Sequence, residues 1–408
     1  MSQTLNAPNI AVHGSSKKVG SKQRLHKENK ALDVIGKRIA LVLPDLGGGG
    51  AERVTLTLAD EFVARGIAVD IVLMRWKGAF LEQVPQTLRL VDLKAPQVRQ
   101  VPLAFARYLR AETPDAVIAN MWPLTTTCII ARALAGSKAR ILVCEHAPLS
   151  NMYRHWGWLH GFLLRRSIAA FHPFADVRAA VSSGVADDLA AMTGIDRTRF
   201  DVVYNPVAVR LPASGGEAAV GGAWQGWTGK RIIAVGTLKE QKNQALLFHA
   251  FARLLETVDA RLMLLGDGPL RGTLEALACK LGLADKIFMP GFIADTSPFY
   301  LTADLFVLSS DYEGLPTVLI EALAYGLPAV STDCPSGPAE ILESGLWGRL
   351  TPVGDAQALA AAMAESLAAE HDCEALKRRA ADFSPGRVAE QYLQLLFPKP
   401  IGGMSGRS

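Results

Sequence analysis

Short apolar runs alternate with amphipathic stretches along most of this chain. A run such as Ile39–Leu43 has the length of a buried strand, and the stretches between runs carry apolar residues at helical spacing. In the first half the pattern predicts strands at 38–43, 69–74, 88–93, 116–119, 140–144, 179–182 and 202–204, and helices at 51–65, 103–111, 125–135 and 184–192. Strand and helix in alternation predict a parallel, doubly wound sheet.

A second alternating set follows a segment rich in Pro, Gly and Trp at 208–229, which we interpret as an interdomain linker. Beyond it the pattern predicts strands at 231–235, 261–265, 287–289, 305–308 and 329–331, and helices at 339–342, 356–369 and 388–396. Because 408 residues are too many for one typical core, we predict an α/β protein with two Rossmann-like domains, 38–207 and 230–385.

Composition narrows the class of protein. The longest apolar runs are far shorter than the ~20 residues that cross a bilayer, and no apolar signal segment opens the chain. The five cysteines are scattered without a C-x-x-C pair, which argues against a structural zinc site and predicts a reducing, cytoplasmic location. The net charge of +4 comes from a basic beginning. Residues 1–37 are predicted to be a disordered tail that either binds anionic lipid headgroups or is an inert solvated arm.

The densest candidate site is the stretch Ser310–Pro328. A strand ends in a polar loop, and a helix then begins with Pro316 in its first turn and ends at Gly326. This geometry binds anions at the helix N-terminus. Glu313 and Glu321 are separated by at most roughly 12 Å, which exceeds the about 5–9.5 Å of a glycosidase pair and suits the two ends of an elongated ligand. The alternative is a capped helix with two solvated glutamates.

Other glycine-rich and polar loops follow predicted strands. The run Gly47–Gly50 allows a phosphate or sugar to approach the backbone, but it meets neither the dinucleotide fingerprint nor the Walker pattern, which argues against a nucleotide-dependent oxidoreductase. The loops at 236–243, 266–269 and 290–293 should meet at one edge of the second sheet. Lys242 is the strongest candidate there for binding a diphosphate; a solvated lysine is the alternative.

Two polar residues follow strands of the first half. Asn120 and His146 are both expected at the ligand edge of the sheet, where His146 has either a structural or a functional role. Residues 153–171 interleave aromatic side chains with Arg154, Arg165 and Arg166. That mixture favours a membrane interface or a lipid-linked acceptor, and the alternative is a helix that packs its aromatic residues inside.

Together these motifs resemble glycosyltransferase family 4, whose members are retaining enzymes of the GT-B fold. The resemblance rests on the block E-G-L-P-x-V-x-x-E-A-x-A-x-G-x-P at 313–328, G-x-L-x-x-x-K at 236–242, the G-D-G-P loop, Y-N-P at 204–206 and the glycine-rich turn. It implies two Rossmann-like domains facing across a cleft, with the acceptor on the first and the donor on the second. A final helix at about 386–397 is expected to pack back on the first domain.

The resemblance also assigns residues. It implies that Glu321 holds the ribose, Glu313 the donor sugar, Lys242 the diphosphate and His146 the transferred sugar. The further donor contacts that we expect are Gly49, Gly50, Thr237, Gly266, Phe292, Ile293, Gly314, Leu315, Thr317 and Val318, and the acceptor contacts are Asn120, Trp156 and Trp158. The family often has Arg where this chain has Thr237. Either Lys242 and helix dipoles bind the diphosphate alone, or Lys239 replaces the missing cation.

The implied reaction moves a sugar from a nucleotide-sugar to a saccharide or lipid-linked saccharide, in polysaccharide or glycoconjugate assembly. We expect a UDP-sugar first and GDP-mannose next, and a front-face displacement. Because the chain has no D-x-D, we expect no metal and no other cofactor. We expect no nucleic-acid partner, and a cytoplasmic protein that could sit at the inner face of the membrane. A nucleotide-sugar epimerase, a sugar phosphorylase and a non-catalytic nucleotide-sugar binder are the alternatives.

Overall fold

The computed structural model describes residues 34–47, 49–209, 224 and 226–398 of the chain. The predicted tail up to residue 33, and residues 210–223 and 225 of the predicted linker, lie outside the described residues. Within that linker, Trp224 is described and buried, with the Arg231 guanidinium 6.0 Å from its ring.

The first sheet has seven parallel strands within the described residues, in the order β3-β2-β1-β4-β5-β6-β7. Its strands are β1 Arg38–Leu43, β2 Ala68–Leu73, β3 Arg89–Asp92, β4 Ala116–Asn120, β5 Arg140–Glu145, β6 Val177–Ala180 and β7 Asp201–Val202. Its helices are α1 Gly50–Ala64, α2 Val101–Glu112, α3 Leu124–Ala135, α4 Leu149–Met152, α5 Gly157–Phe171 and α6 Ser183–Thr193. Residues 39–43 are completely buried, because both faces of a parallel sheet are covered by helices.

The second sheet repeats this topology with six parallel strands among the described residues, in the order β10-β9-β8-β11-β12-β13. Its strands are β8 Lys230–Val235, β9 Ala260–Leu265, β10 Ile287–Gly291, β11 Leu305–Leu308, β12 Ala329–Thr332 and β13 Arg349–Thr351. Its helices are α7 Gln244–Leu254, α8 Arg271–Lys280, α9 Ser297–Thr302, α10 Thr317–Ala324, α11 Pro338–Ile341, α12 Ala356–Ala368 and α13 Cys373–Ala380. In both sheets the first three strands extend to one side and the fourth pairs on the other side of the first. This switch, between β1 and β4 and between β8 and β11, opens a ligand crevice at the carboxyl ends.

The last described helix, α14 (Pro385–Leu396), packs on the first half of the molecule. Arg65 of α1 donates to the carbonyl of Gly386 at 3.1 Å, and Arg140 of β5 donates to that of Leu395 at 3.1 Å. The Tyr392 hydroxyl lies 3.4 Å from the sulfur of Cys144. The segment that follows the second sheet therefore completes the layer under the first.

The prediction of two Rossmann-like parallel sheets is confirmed. Most predicted strands and helices begin or end within two residues of the observed ones. β13 and the helices α4, α7, α8, α9 and α13 have no counterpart among the predicted elements. Asp70, interpreted as part of a strand, lies in β2 and is 2% exposed. It accepts hydrogen bonds from Arg89 and Tyr108, so its carboxylate is bound within the protein.

Candidate functional site

A cavity of about 610 Å³ separates the carboxyl ends of the two sheets, a volume suited to a ligand of nucleotide-sugar size. Loops of the first half form one wall, and loops after β8, β9, β10 and β11 form the other. The predicted residues that line it are Gly49, Gly50, His146, Thr237, Lys242, Gly266, Phe292, Ile293, Glu313, Gly314, Leu315, Thr317, Val318 and Glu321. The loops after the strands thus meet at one place, as the topology requires.

Lys242 and Glu313 form an ion pair in this cavity. Lys242 Nζ lies 2.7 Å from Glu313 Oε1, and the Ser310 hydroxyl donates to the same oxygen at 2.6 Å. The lysine side chain is 17% exposed and the glutamate side chain 7%. The alternatives of a solvated lysine and a solvated Glu313 are therefore wrong. Two opposite charges whose side chains are largely shielded from solvent also attract each other more strongly than an exposed pair.

Hydrogen bonds between two loops fix the position of this pair. The Asp311 amide donates to the carbonyl of Gln241 at 2.9 Å, and the Gln241 side chain donates back to the carbonyl of Tyr312 at 2.8 Å. Asn243, at φ 41°, caps α7 and donates to Asp311 at 2.7 Å. The loop after β8 and the loop after β11 therefore position Lys242 and Glu313 as one unit.

The wall beside Lys242 carries a second ammonium group. Lys239 lines the cavity, whereas the neighbouring Thr237 brings no charge. Desolvation and the positive charge of Lys242 lower the pKa of Lys239, and Glu313 partly opposes this. Two adjacent ammonium groups repel each other, so an anion between them would relieve that repulsion.

Helix α10 points its N-terminus into the same cavity. Pro316 precedes the helix and provides no side-chain cap, and Thr317 and Val318 follow as its first residues. An uncapped helix N-terminus attracts a negative charge. Glu321 is the fifth residue of α10, and the Tyr300 hydroxyl donates to its Oε2 at 3.1 Å.

The two halves of the molecule touch at the base of the cavity. A methyl group at Gly314 would lie 1.9 Å from the carbonyl oxygen of His146, so only glycine fits at this contact. Asn205 donates to the carbonyl of Leu315 at 3.2 Å. From α11, the Glu340 carboxylate accepts the amides of Ser183 and Gly184 at 2.9 and 3.2 Å. The loop that bears Glu313 is therefore held against the first half.

His146 faces this contact as a neutral imidazole. Asn120 donates its amide to the carbonyl of Val42 at 3.3 Å, so its Oδ1, 2.9 Å from His146 Nε2, is the acceptor of that ring proton. Burial lowers the pKa of His146 to about 4, an effect that Asn205 partly opposes. The imidazole therefore brings a hydrogen-bonding group without a charge to the wall opposite Lys242.

The three residues predicted for the acceptor lie away from the cavity surface. Asn120 is 3% exposed and lies behind His146. Trp156 packs on Tyr153 with ring centroids 4.4 Å apart, and Trp158 is 83% exposed. From the first half of the molecule, the aromatic side chains that line the cavity are instead Trp122 and Tyr153, because the pattern of aromatic residues does not show which of them point inward.

Glu145 lines the cavity and was missed by the sequence interpretation. It is 1% exposed and accepts hydrogen bonds from the amide of Trp122 at 3.0 Å and the hydroxyl of Thr125 at 2.9 Å. Burial raises the pKa of this carboxyl to about 7. Its place directly before His146 at the end of β5 was the signal that could have revealed it.

Helix α5 exposes an apolar surface made of Trp158, Leu159, Phe162 and Leu163, each at least 50% exposed. Its buried residues are Leu164 and Ile168. The alternative in which the aromatic residues pack inside is therefore wrong for Trp158 and Phe162, whereas Phe171 packs against the core. No Asp or Glu occurs between Glu145 and Asp176, a segment that includes three arginines. Among the described residues, no helix has both the length and the apolarity to cross a membrane.

Two family models match this chain. The model for glycosyl transferases group 1 matches residues 227–383, and the model for Glycosyltransferase Family 4 matches residues 48–211. A putative colanic acid biosynthesis glycosyltransferase, WcaL, of Salmonella typhimurium is 31% identical over 304 residues, which are 69% of this chain and 70% of that protein.

A second relative aligns along almost its whole length. The N-acetylgalactosamine-N,N'-diacetylbacillosaminyl-diphospho-undecaprenol 4-alpha-N-acetylgalactosaminyltransferase of Campylobacter jejuni is 27% identical over 374 residues, which are 88% of this chain and 99% of that protein. Among solved structures, Anabaena Alr3699/HepE in complex with UDP-glucose superposes with a TM-score of 0.73 at 21% identity, covering 88% of this chain and 99% of that one. This last likeness shows the fold.

Proposed function

We propose a specific reaction for this chain, which belongs to glycosyltransferase family 4 and is a glycosyltransferase of the hexosyltransferase type. It transfers a sugar, with retention of the anomeric configuration, from a nucleoside-diphosphate sugar to a saccharide or lipid-linked saccharide during polysaccharide or glycoconjugate assembly. The observation that carries the proposal is the Lys242–Glu313 pair, held at 2.7 Å in a cavity opposite His146.

The second half of the molecule binds the donor. Glu321 accepts hydrogen bonds from the ribose hydroxyls, and Glu313 accepts them from hydroxyls of the sugar. The diphosphate lies between them, beside Lys242 and Lys239 and at the N-terminus of α10. Negative charge develops on the diphosphate as the bond to the sugar breaks, and these preorganised cations and dipoles stabilise that charge.

Retention follows from attack on the same face of the sugar. The acceptor oxygen forms a bond to the anomeric carbon as the bond to the diphosphate oxygen breaks, and the proton of the acceptor hydroxyl passes to the diphosphate. His146 donates its Nε2 proton to Asn120, so its Nδ1 accepts a hydrogen bond from a hydroxyl of the sugar and orients it. Glu313 stays an orienting group, since Lys242 and Ser310 already bind its Oε1.

A UDP-sugar is the first candidate donor and GDP-mannose the second. One solved structure with the same fold, that of HepE, holds UDP-glucose. We infer the acceptor from the first half of the molecule. The exposed apolar residues of α5 and the absence of carboxylates between 145 and 176 suit an anionic membrane surface. The Campylobacter relative is named for a diphospho-undecaprenol acceptor.

Nucleotide binding tests the donor. UDP, GDP, ADP, dTDP and CMP are added in turn to the wild type and to Glu321→Ala, and the melting temperature is measured. A ligand at a hundred times its Kd stabilises by about 2.7 kcal/mol. We expect one diphosphate, UDP first, to stabilise the wild type and to lose that effect in Glu321→Ala. If none of the five shifts the melting temperature, the proposed donor class is wrong.

Vesicle sedimentation tests the acceptor side. The wild type should sediment with vesicles that contain phosphatidylglycerol, and the double variant Trp158→Ala, Phe162→Ala should stay largely in the supernatant. Trp76→Ala is the matched control, because Trp76 is 53% exposed and lies outside α5. Equal sedimentation of the wild type and the double variant would contradict the membrane surface.

A further inference from the structure

The cavity receives a guanidinium group from the side opposite Lys242. Arg53 is the fourth residue of α1, three positions after Gly50, and both residues line the first wall. Its Nη1 lies 3.9 Å from Glu321 Oε1, so the contact joins the two halves of the molecule. Arg53 therefore reaches the carboxylate that we propose for the ribose.

Arg53 is held loosely where it lies. At 3.9 Å the contact with Glu321 is longer than a hydrogen bond. The guanidinium is also 5.8 Å from the centre of the Phe80 ring, and the side chain is 40% exposed. Partly exposed ion pairs without hydrogen-bond geometry are weak. The guanidinium can therefore turn towards a ligand at little cost.

A second, smaller cavity meets the large one at Arg53. Both are lined by Gly50, Arg53, Thr296, Thr317 and Glu321. Thr317 is the first residue of α10, where the diphosphate is proposed to bind, and Glu321 marks the ribose end. In a nucleotide the first phosphate is bonded to the ribose, so a guanidinium beside Glu321 is one chemical group away from that phosphate.

We propose that Arg53 binds the diphosphate of the donor from across the cleft. This proposal rests on the proposed function. Arg53 brings to the diphosphate the guanidinium that Thr237 does not supply. Arg presents a planar fork of N–H donors that matches two phosphate oxygens, which the ammonium groups of Lys239 and Lys242 cannot do. When the ribose hydroxyls engage Glu321, Arg53 turns from that carboxylate to the phosphate.

The position of Arg53 gives this contact a second effect. Lys242 and α10 belong to the second half, whereas Arg53 belongs to the first. The diphosphate is fully bound only while the two halves are in contact, so the leaving group and the acceptor side are brought together by the same interaction. Arg53 is then a donor-binding residue that couples donor binding to the assembled cavity.

The test compares UDP with uridine, which lacks the phosphates. Dissociation constants are measured by calorimetry for the wild type, Arg53→Lys, Arg53→Gln and the double variant Arg53→Gln, Thr237→Arg. Arg75→Gln is the matched control, since Arg75 pairs with Asp45 at 2.6 Å and lines neither cavity. If the nucleotide panel favours another base, its diphosphate and nucleoside replace UDP and uridine.

We expect Arg53→Gln to weaken UDP binding by about 10- to 100-fold, as expected for the loss of a bidentate phosphate contact, and to change uridine binding by less than about twofold. The UDP dissociation constant of Arg53→Lys should lie between those of the wild type and Arg53→Gln. Adding Thr237→Arg to Arg53→Gln should restore UDP binding. Equal changes for UDP and uridine, or no change for either, would overturn the role of Arg53. A wild type that binds no nucleotide of the panel contradicts the proposed function instead.

Discussion

The two walls of the cavity are built on different principles. The wall from the second half contains an ion pair at short distance. Lys242 Nζ lies 2.7 Å from Glu313 Oε1, and the Ser310 hydroxyl lies 2.6 Å from the same oxygen. The wall from the first half contains titratable groups whose burial shifts them towards their neutral forms, His146 and Glu145. The wall from the second half therefore presents charge, whereas the end of β5 in the first wall suppresses it, and Arg53 of α1 is a charged exception in that first wall.

This difference matches the two substrates of a transferase. A diphosphate leaving group gains negative charge, so the groups that face it must be cationic and fixed before the reaction. A sugar hydroxyl that attacks the anomeric carbon is neutral, so its surroundings need hydrogen-bonding groups without a competing charge. The comparison suggests that changes in the donor wall should affect turnover most, and changes in the acceptor wall should affect pH dependence.

The largest expected effect comes from removing the cation. Lys242→Ala should lower kcat by about a thousandfold, the upper end of the cost of losing one preorganised group, while the variant remains folded by circular dichroism. Lys377→Ala serves as the control, because Lys377 forms an exposed pair with Glu374 at 2.8 Å. Turnover near the wild-type value in Lys242→Ala would remove this lysine from the mechanism.

The contact between the walls gives the next effect. In Gly314→Ala the new methyl group would meet the backbone carbonyl of His146, which cannot rotate away. The walls must then move apart, and a displacement near 1 Å can cost about a hundredfold in rate. We expect kcat to fall by about that factor.

Gly272 provides the matched control for this variant. A methyl group there would have no neighbour within 4 Å, so Gly272→Ala should keep its full activity. Steady-state kinetics of the two variants decide the matter. If Gly314→Ala is as active as Gly272→Ala, the close contact between the walls is not required for turnover.

A smaller effect concerns stability and pH. His172 directly follows α5 and is 1% exposed. Burial lowers its pKa to about 3, from 6.5, so the unfolded chain binds the extra proton and stability falls as the pH drops from 6.5 to 3. Burial raises the pKa of Glu145 to about 7, from 4.5, so its contribution falls as the pH rises from 4.5 to 7. Each group contributes a slope of up to about 1.4 kcal/mol per pH unit.

Two variants separate these slopes. Between pH 4.5 and 6.5, His172→Asn should flatten the rise of stability with pH, and Glu145→Gln should steepen it. Urea unfolding at several pH values measures both. Slopes that are the same in both variants and the wild type would show that the buried groups of the first half do not change their protonation on folding.

The smallest expected effect is that of metal removal. If Lys242, Lys239 and α10 stabilise the leaving diphosphate, EDTA should leave turnover within about twofold of the untreated enzyme. Initial rates with EDTA, Mg²⁺ and Mn²⁺ provide the measurement. A strict requirement for either metal would contradict the assignment of charge stabilisation to the donor wall.

The sequence revealed the donor wall better than the acceptor wall, for a physical reason. Glu313, Gly314, Thr317 and Glu321 belong to one strand–loop–helix unit, so local spacing alone brings them together. Trp158 belongs to a helix whose outward face depends on its neighbours, and it proved to be exposed.

Other features escaped the pattern because they depend on distant partners. The sequence pattern predicts Arg53 as a surface position of an amphipathic helix. Its role in the cavity becomes visible with α10, which lies opposite it. β13 has three residues, too few to show a period, and α13 is strongly charged, with Leu376 and Ala380 as its buried residues. Local spacing predicts the elements and motifs, whereas the side chains that face each other across the cleft become visible with the assembled sheets.

The helix α14 has a consequence for the order in which this protein is made. It packs on α1 and β5, yet it follows the whole second half in the chain. A ribosome therefore releases the first sheet long before the helix that covers part of it. Until residues 385–396 emerge, the Cys144 side of β5 lacks its Tyr392 neighbour. The first half of the molecule is therefore synthesised before the second half, but its packing is completed after it.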